Sequence, residues 1–240
     1  MENESIEWVS RALHWEDPDR IRSAGDLIAR VNREGFLPLF ANDVPGFSVE
    51  ERTLAWDWWS DDPVRDPWLW REIVARGGQL CYGKFFDGKA GFISRSWLGA
   101  FANYRRDGYD FDALWEDGRA HYRLKKLMDC FTEGEERFSF ELRNLAGFGK
   151  GGEAGFEGAV ATLQRMTYLV IRDFRQRRNR LGEFYGWPIT VYATPESVFG
   201  EETVTSCYSE NPEESWARIW ERARELCPDA DEKALKKLLK

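Results

Sequence analysis

Two histidines and four cysteines are few for a chain of 240 residues, and each scarcity removes a class of function. His14 and His121 lie far apart, so neither a histidine-based zinc site nor a Ser-His-Asp triad has support. Cys81, Cys130, Cys207 and Cys227 are scattered with no C-x-x-C pairing. The opening MENESIEW lacks the basic and apolar character of a signal peptide, so these read as reduced thiols in a cytoplasmic protein. No apolar run approaches the ~18 residues that mark a membrane span. A phosphate loop is also missing. The run Gly147-Phe148-Gly149-Lys150-Gly151-Gly152 follows no strand and ends without G-K-[ST]. It reads as a flexible turn between helices, from which Lys150 can touch a phosphate. No cofactor and no metal are expected.

What is abundant is aromatic and charged. Twelve tryptophans and sixteen phenylalanines, with 42% apolar residues, supply a substantial core and exclude a disordered chain. The formal net charge is −8, which weakens generic affinity for a polyanion.

Along the chain, 4–15 and 19–34 read as helices broken at Asp17-Pro18, and Phe36 to Phe40 as an apolar link. Ser48 and Glu51 form a capping box expected to open a helix through Leu54, Ala55 and Trp58. The segment from Asp61 to Pro67, with two prolines, is the best boundary. Asp57, Asp61, Asp62 and Asp66 are better explained as caps and turn formers than as a metal cluster. Asp66 and Pro67 start a helix. Two strands then flank Asp87-Gly88, a dipeptide suited to a two-residue hairpin turn. Near the end, Asn211-Pro212-Glu213-Glu214 starts another helix, and Lys233, Lys236, Lys237 and Lys240 belong to a last one. These signals divide the chain into an N-terminal helical region at 1–60, a reduced helix-plus-hairpin unit at 61–106, a larger unit at 107–200 and C-terminal helices at 201–240, all expected within one compact assembly.

The larger unit organises the rest. Helices are expected at 112–130, at 139–146 with Ser139 as cap, and at 155–167. The period then changes to strands near 168–174 and 187–193 around a polar turn. Helix, short helix, helix and hairpin is the order of a winged helix-turn-helix. The fold class expected is therefore mainly α with small β-hairpins (α+β), in a tandem winged-helix-like arrangement. Arg172, Arg175, Arg177, Arg178 and Arg180 face only Asp173 within the nine residues of the hairpin, about plus four in an acidic chain. Such a local basic wing is the footprint of phosphate contact. A solvated hairpin that uses arginine to blunt an exposed edge is the plainer alternative.

The stretches YGKFFDGKAGFISRSW, YRRDGYDFDALWEDG and DFRQRRNRLGEFYGWPITVYATPE, within 68–200, resemble the AlkZ/YcaQ family of tandem winged-helix DNA glycosylases, and most closely its shorter AlkZ-related members. The resemblance implies a DNA-binding scaffold. In larger relatives it implies removal of alkylated bases through a Gln-apolar-Gln or Gln-apolar-Asp motif near a helix-to-strand transition. The best match is Leu163-Gln164-Arg165-Met166-Thr167. Gln164 takes the first position as the candidate catalytic residue, while Arg165 replaces the apolar residue and Met166 the second polar one.

Three functions follow. The first is a DNA-binding protein with weak or no catalysis, resting on the basic hairpin and the incomplete motif. Its candidate contacts are Lys150, Arg165, Arg172, Arg175, Arg177, Arg178 and Arg180. The second is an active DNA glycosylase in which Gln164 positions a water, with Phe184, Tyr185 and Trp187 as candidates to stack on a base or plug its gap, although core packing explains these rings just as well. The third is a protein-interaction scaffold. No oligomeric state, lesion or sequence preference follows from the sequence.

Overall fold

Short polar side chains that accept the free N–H groups of a first turn set several helix starts. Ser23 Oγ accepts from Asp26 N (3.0 Å) and opens α1 (Ala24–Glu34). Asp66 accepts from Trp68 N (2.8 Å) ahead of Pro67 and opens α2 (Pro67–Gly77). The computed structural model describes residues 13, 14, 16–132 and 134–240; the helix expected at 4–15 lies almost wholly outside them.

After α1 comes a short strand, β1 (Phe36–Pro38), then α2, β2 (Leu80–Phe86) and β3 (Lys89–Ser94). These strands form an antiparallel sheet in the order β1-β3-β2. At the β2–β3 turn, Asp87 (φ 48°) and Gly88 (φ 73°) both take the left-handed region that a type I′ turn requires. Helix α3 (Arg95–Arg106) leads to α4 (Phe111–Glu116) and α5 (Tyr122–Met128), then β4 (Arg137–Phe138), α6 (Ser139–Leu145), α7 (Phe156–Arg165), β5 (Val170–Arg178) and β6 (Phe184–Ala193). The second sheet has the order β4-β6-β5. Each half thus places a short first strand beside the second strand of a later hairpin. The result is helices with two small antiparallel sheets, an α+β arrangement.

The two halves pack reciprocally. Helix α2 of the first lies on β5 of the second, and α7 of the second lies on β2 of the first. One continuous core runs through both, with Trp70, Phe85, Phe92, Phe101, Leu163 and Leu169 fully buried. Helices α8 (Pro195–Phe199), α9 (Glu201–Val204), α10 (Pro212–Leu226) and α11 (Glu232–Leu239) close the chain, with α9 and α10 against α3. Asn211 Oδ1 accepts from Glu213 N (2.9 Å) and the Glu214 carboxylate accepts from Asn211 N (3.2 Å), the cap expected there. Among the described residues no helix is long and apolar enough to cross a membrane.

Several expectations need correction. The helix at 112–130 is two helices, because Gly118 (φ 68°) ends α4 and Arg119 N reaches back to Leu114 O (3.1 Å). His121 Nδ1 then accepts from Arg123 N (3.2 Å) to start α5. The Ser48–Glu51 box opens only 3₁₀ turns, at Glu50–Arg52 and Ala55–Asp57. Ser48 Oγ does accept from Glu51 N (3.1 Å), but the Glu51 carboxylate takes Ser48 Oγ–H (2.6 Å) and Gly46 N (3.0 Å). Thr53 is extended, which stops the turn from propagating. The apolar link after Gly35 is the strand β1. At α6 the cap is Phe138, whose N–H donates to Glu141 (3.3 Å); Ser139 is the first helical residue. The strands of the second hairpin are also longer than expected and take in most of the polar run. Its tip is confined to 179–183, where Asn179 Oδ1 accepts from Leu181 N (2.9 Å) and Glu183 N (3.0 Å).

Candidate nucleic-acid interface

A groove of about 900 Å³ runs beside the β5–β6 hairpin. Three segments wall it. Helix α2 contributes Glu72 and Arg76, the start of α6 contributes Phe138 and Phe140, and the hairpin contributes Asp173 to Arg178 with Phe184, Tyr185 and Pro188.

The hairpin arginines divide into two groups. Arg172 and Arg175 hold the fold together. Arg172 donates to Ala75 O (2.8 Å) and Arg76 O (2.6 Å) at the end of α2, and pairs with Glu136 (3.2 Å). Arg175 pairs with Asp173 (2.6 Å) and with Glu136. Asp173 is itself buried and also receives Arg76 Nε (3.0 Å) and Phe174 N (2.7 Å), so it is fully engaged. Among the described residues no carboxylate pairs with Arg177, Arg178 or Arg180, all of which are exposed. The Arg177 guanidinium lies 4.6 Å over the Phe140 ring and that of Arg178 4.4 Å over Phe184. The exposed aromatics continue through Tyr185 (47%) to Trp187 (90%).

Two carboxylates, Glu72 and Asp173, also line the groove. Glu72 accepts from Arg71 Nη2 (3.2 Å). Burial pushes the Glu72 carboxyl above its ordinary range, against the opposing pull of Arg71 and Arg76. Arg71 is itself buried and wedged between rings of the two halves, 3.7 Å from the Trp68 centroid and 4.0 Å from Phe174.

Gln164 lies elsewhere. It is 1% exposed, on the α7 face packed against β2, and its Oε1 accepts from Lys84 N (3.0 Å). It does not line the groove, and between a cleft beside the hairpin and the core it takes the core. The cause is packing: at this step of α7 the inward direction points into the other half. Arg165 is exposed at the end of α7, and Lys150 in the Gly147–Gly152 turn; neither reaches the groove. That turn is held to α5 by Glu153, which accepts from Tyr122 Oη (2.6 Å), Arg123 Nε (3.0 Å) and Lys126 Nζ. Lys126 first, and then Tyr122, hold the Glu153 carboxyl down to about 2.

Phe138, Phe140, Glu72 and Arg76 are groove residues that sequence reasoning missed. The Phe-Ser-Phe spacing around Ser139 was the available signal, since it sets two aromatics about a helix start. The four cysteines are free thiols. Among the described residues no cluster of histidine, cysteine, aspartate or glutamate could hold a metal ion. No curated protein and no solved structure matches the chain. Residues 21–240, nearly the whole chain, match the model of a family described as AlkZ related, and the chain belongs to that family.

Proposed function

We propose that the chain is a DNA-binding protein of two winged-helix units, in which the β5–β6 hairpin is the wing that grips the phosphate backbone and base excision is absent or slow. The observation that carries this reading is the set of exposed arginines with no paired carboxylate among the described residues, Arg177, Arg178 and Arg180, at the outer end of a hairpin in an otherwise acidic protein. The strand orders β1-β3-β2 and β4-β6-β5, each with a short strand followed by helix and then a hairpin, support the two units.

The reciprocal packing supports contact through the wing over reading of base edges. Helices α2 and α7 would be the groove-reading helices of such units, and each lies on the sheet of the other half. The outer face of α7 offers Glu157, Gly158, Thr162 and Arg165, whose charges cancel. Weak catalysis is supported by Gln164, whose amide oxygen is occupied by the Lys84 backbone, and by Met166, which brings only a thioether to the second motif position. Four free thiols suit a reducing compartment, and the cytoplasm is the proposed setting.

The experiment is a salt titration of binding to a short labelled duplex. Three neutralised phosphates give a slope of log Kobs on log salt of about −2.7. Replacing Arg177, Arg178 and Arg180 with alanine should flatten it by about one unit for each phosphate no longer neutralised. Parallel titrations for wild type and triple variant would remove the hairpin from the interface.

A second reading, a protein-interaction scaffold, is favoured by one surface. Trp56, Trp59 and Val64 are 64%, 61% and 67% exposed ahead of α2, an unusual concentration of apolar side chains in water. Failure to bind any duplex at low salt would favour it.

A further inference from the structure

We propose that the groove beside the hairpin is a stacking site for unpaired bases, so that the protein prefers single-stranded or locally opened DNA to intact duplex. The proposal rests on the reading of the hairpin as a DNA contact and adds the class of DNA.

The groove combines two features that a phosphate clamp alone does not need. Its walls are aromatic: the Phe138 and Phe140 centroids lie 5.5 Å apart, and Phe184 and Tyr185 face them from the hairpin. Phe140, Phe184 and Tyr185 are 37%, 60% and 47% exposed, although rings of this size are stabilised by burial. Two of the rings already carry a guanidinium, from Arg177 and Arg178, and guanidinium planes stack on bases as rings do. A closed duplex keeps its base faces inside the helix and cannot use such walls, whereas a single strand presents a π-face at every nucleotide.

The charge layout orients the strand. Arg177 and Arg178 line the groove with no carboxylate paired to them among the described residues, whereas Asp173 is neutralised by Arg76 and Arg175 and Glu72 accepts from Arg71. Phosphates are drawn to Arg177 and Arg178, which leaves the aromatic walls to the neutral bases. The volume of about 900 Å³ leaves room for a base.

The test compares three labelled 15-mers of equal strand length by fluorescence anisotropy: a mixed-sequence single strand, the same backbone made entirely of abasic sites, and the duplex. The wild-type protein should bind the single strand about tenfold more tightly than the abasic strand, the scale of one or two stacked bases. It should also prefer the single strand to the duplex. Phe140→Ala with Tyr185→Ala should erase the base-dependent difference and leave the salt slope unchanged. Both rings are partly exposed, and circular dichroism melting confirms that the variant folds. Equal affinity for the base-bearing and abasic strands, a preference for duplex, or an unmoved double variant would each overturn the proposal. If duplex binding is nonetheless lost on removing Arg177, Arg178 and Arg180, the hairpin contact stands and only the stacking site falls. If no DNA binds, both fall. Tighter binding of the RNA strand of the same sequence would overturn the assignment to DNA.

Discussion

At the scale of single residues, Gln164 has a structural duty in the interior. Its amide ties α7 to β2 through the Lys84 N–H, from a residue 80 positions earlier. Gln164→Ala leaves that donor without its partner and a gap in a packed interface, so it should lower unfolding stability by about 1–3 kcal/mol. DNA containing 7-methylguanine, scored for abasic sites, should show no excision above background for wild type or variant. Robust wild-type turnover that Gln164→Ala abolishes would reverse the assignment. Glu153 acts at the same scale through charge. Its folded carboxyl is held down to about 2, whereas an unfolded glutamate titrates at about 4.3. A depressed carboxyl contributes stability that is present above the unfolded value and lost as pH falls. Between pH ~4.5 and ~2 the Gly147–Gly152 turn should therefore loosen from α5. In Glu153→Gln the acid-dependent part of this change should disappear, as read from hydrogen exchange of the turn; an unchanged profile would exclude Glu153 as its source.

At the scale of elements, the two sheets are held by different means. The β2–β3 hairpin is a core element, with Gly83 and Gly91 paired across the strands. A Cβ on Gly91 would lie 2.4 Å from Phe86 Cδ2 and 2.9 Å from Leu37 O. Phe86 is fully buried and stacks near Phe36, so it has nowhere to move. Gly91→Ala should cost about 1–3 kcal/mol through overpacking, measured by urea denaturation. A loss below ~0.5 kcal/mol would mean that the ring relaxes freely. The β5–β6 hairpin differs in being anchored at its base and free at its tip. Its lower half pairs with β4 and leans on α2 through Arg172 and Asp173, and its upper half stands in solvent. Its basic run was legible in the sequence, but its division was not. Glu136 and Arg76 lie 39 and 97 residues from the hairpin groups they bind, beyond any local pattern.

At the scale of the whole molecule, reciprocal packing makes the two halves dependent on each other. Helix α2 sits on β5 and α7 on β2, Arg71 is wedged between rings from both, and Arg106 of α3 reaches Thr167 O (2.6 Å) and Glu196 (2.5 Å). Such shared burial couples the halves into one cooperative unit. Urea unfolding should give a single transition, coincident by tryptophan fluorescence and far-ultraviolet circular dichroism. Two separated transitions would show that 13–106 and 107–240 fold independently.

The sequence by itself determined the local features: the Asp66-Pro67 and Asn211-Pro212 helix starts, the Asp87-Gly88 turn, and the change of period ahead of the second hairpin. Each of these depends on neighbours within about four positions, which is the range over which capping, turn formation and helical periodicity act. Only the tertiary structure decided that Arg172 and Arg175 are spent on internal ion pairs while Arg177, Arg178 and Arg180 face water. It alone turned Gln164 into the interior and brought Glu72 and Arg76 to Phe140. Burial and charge neutralisation are set by groups that folding carries in from distant segments, and a run of residues does not record which distant partner will arrive.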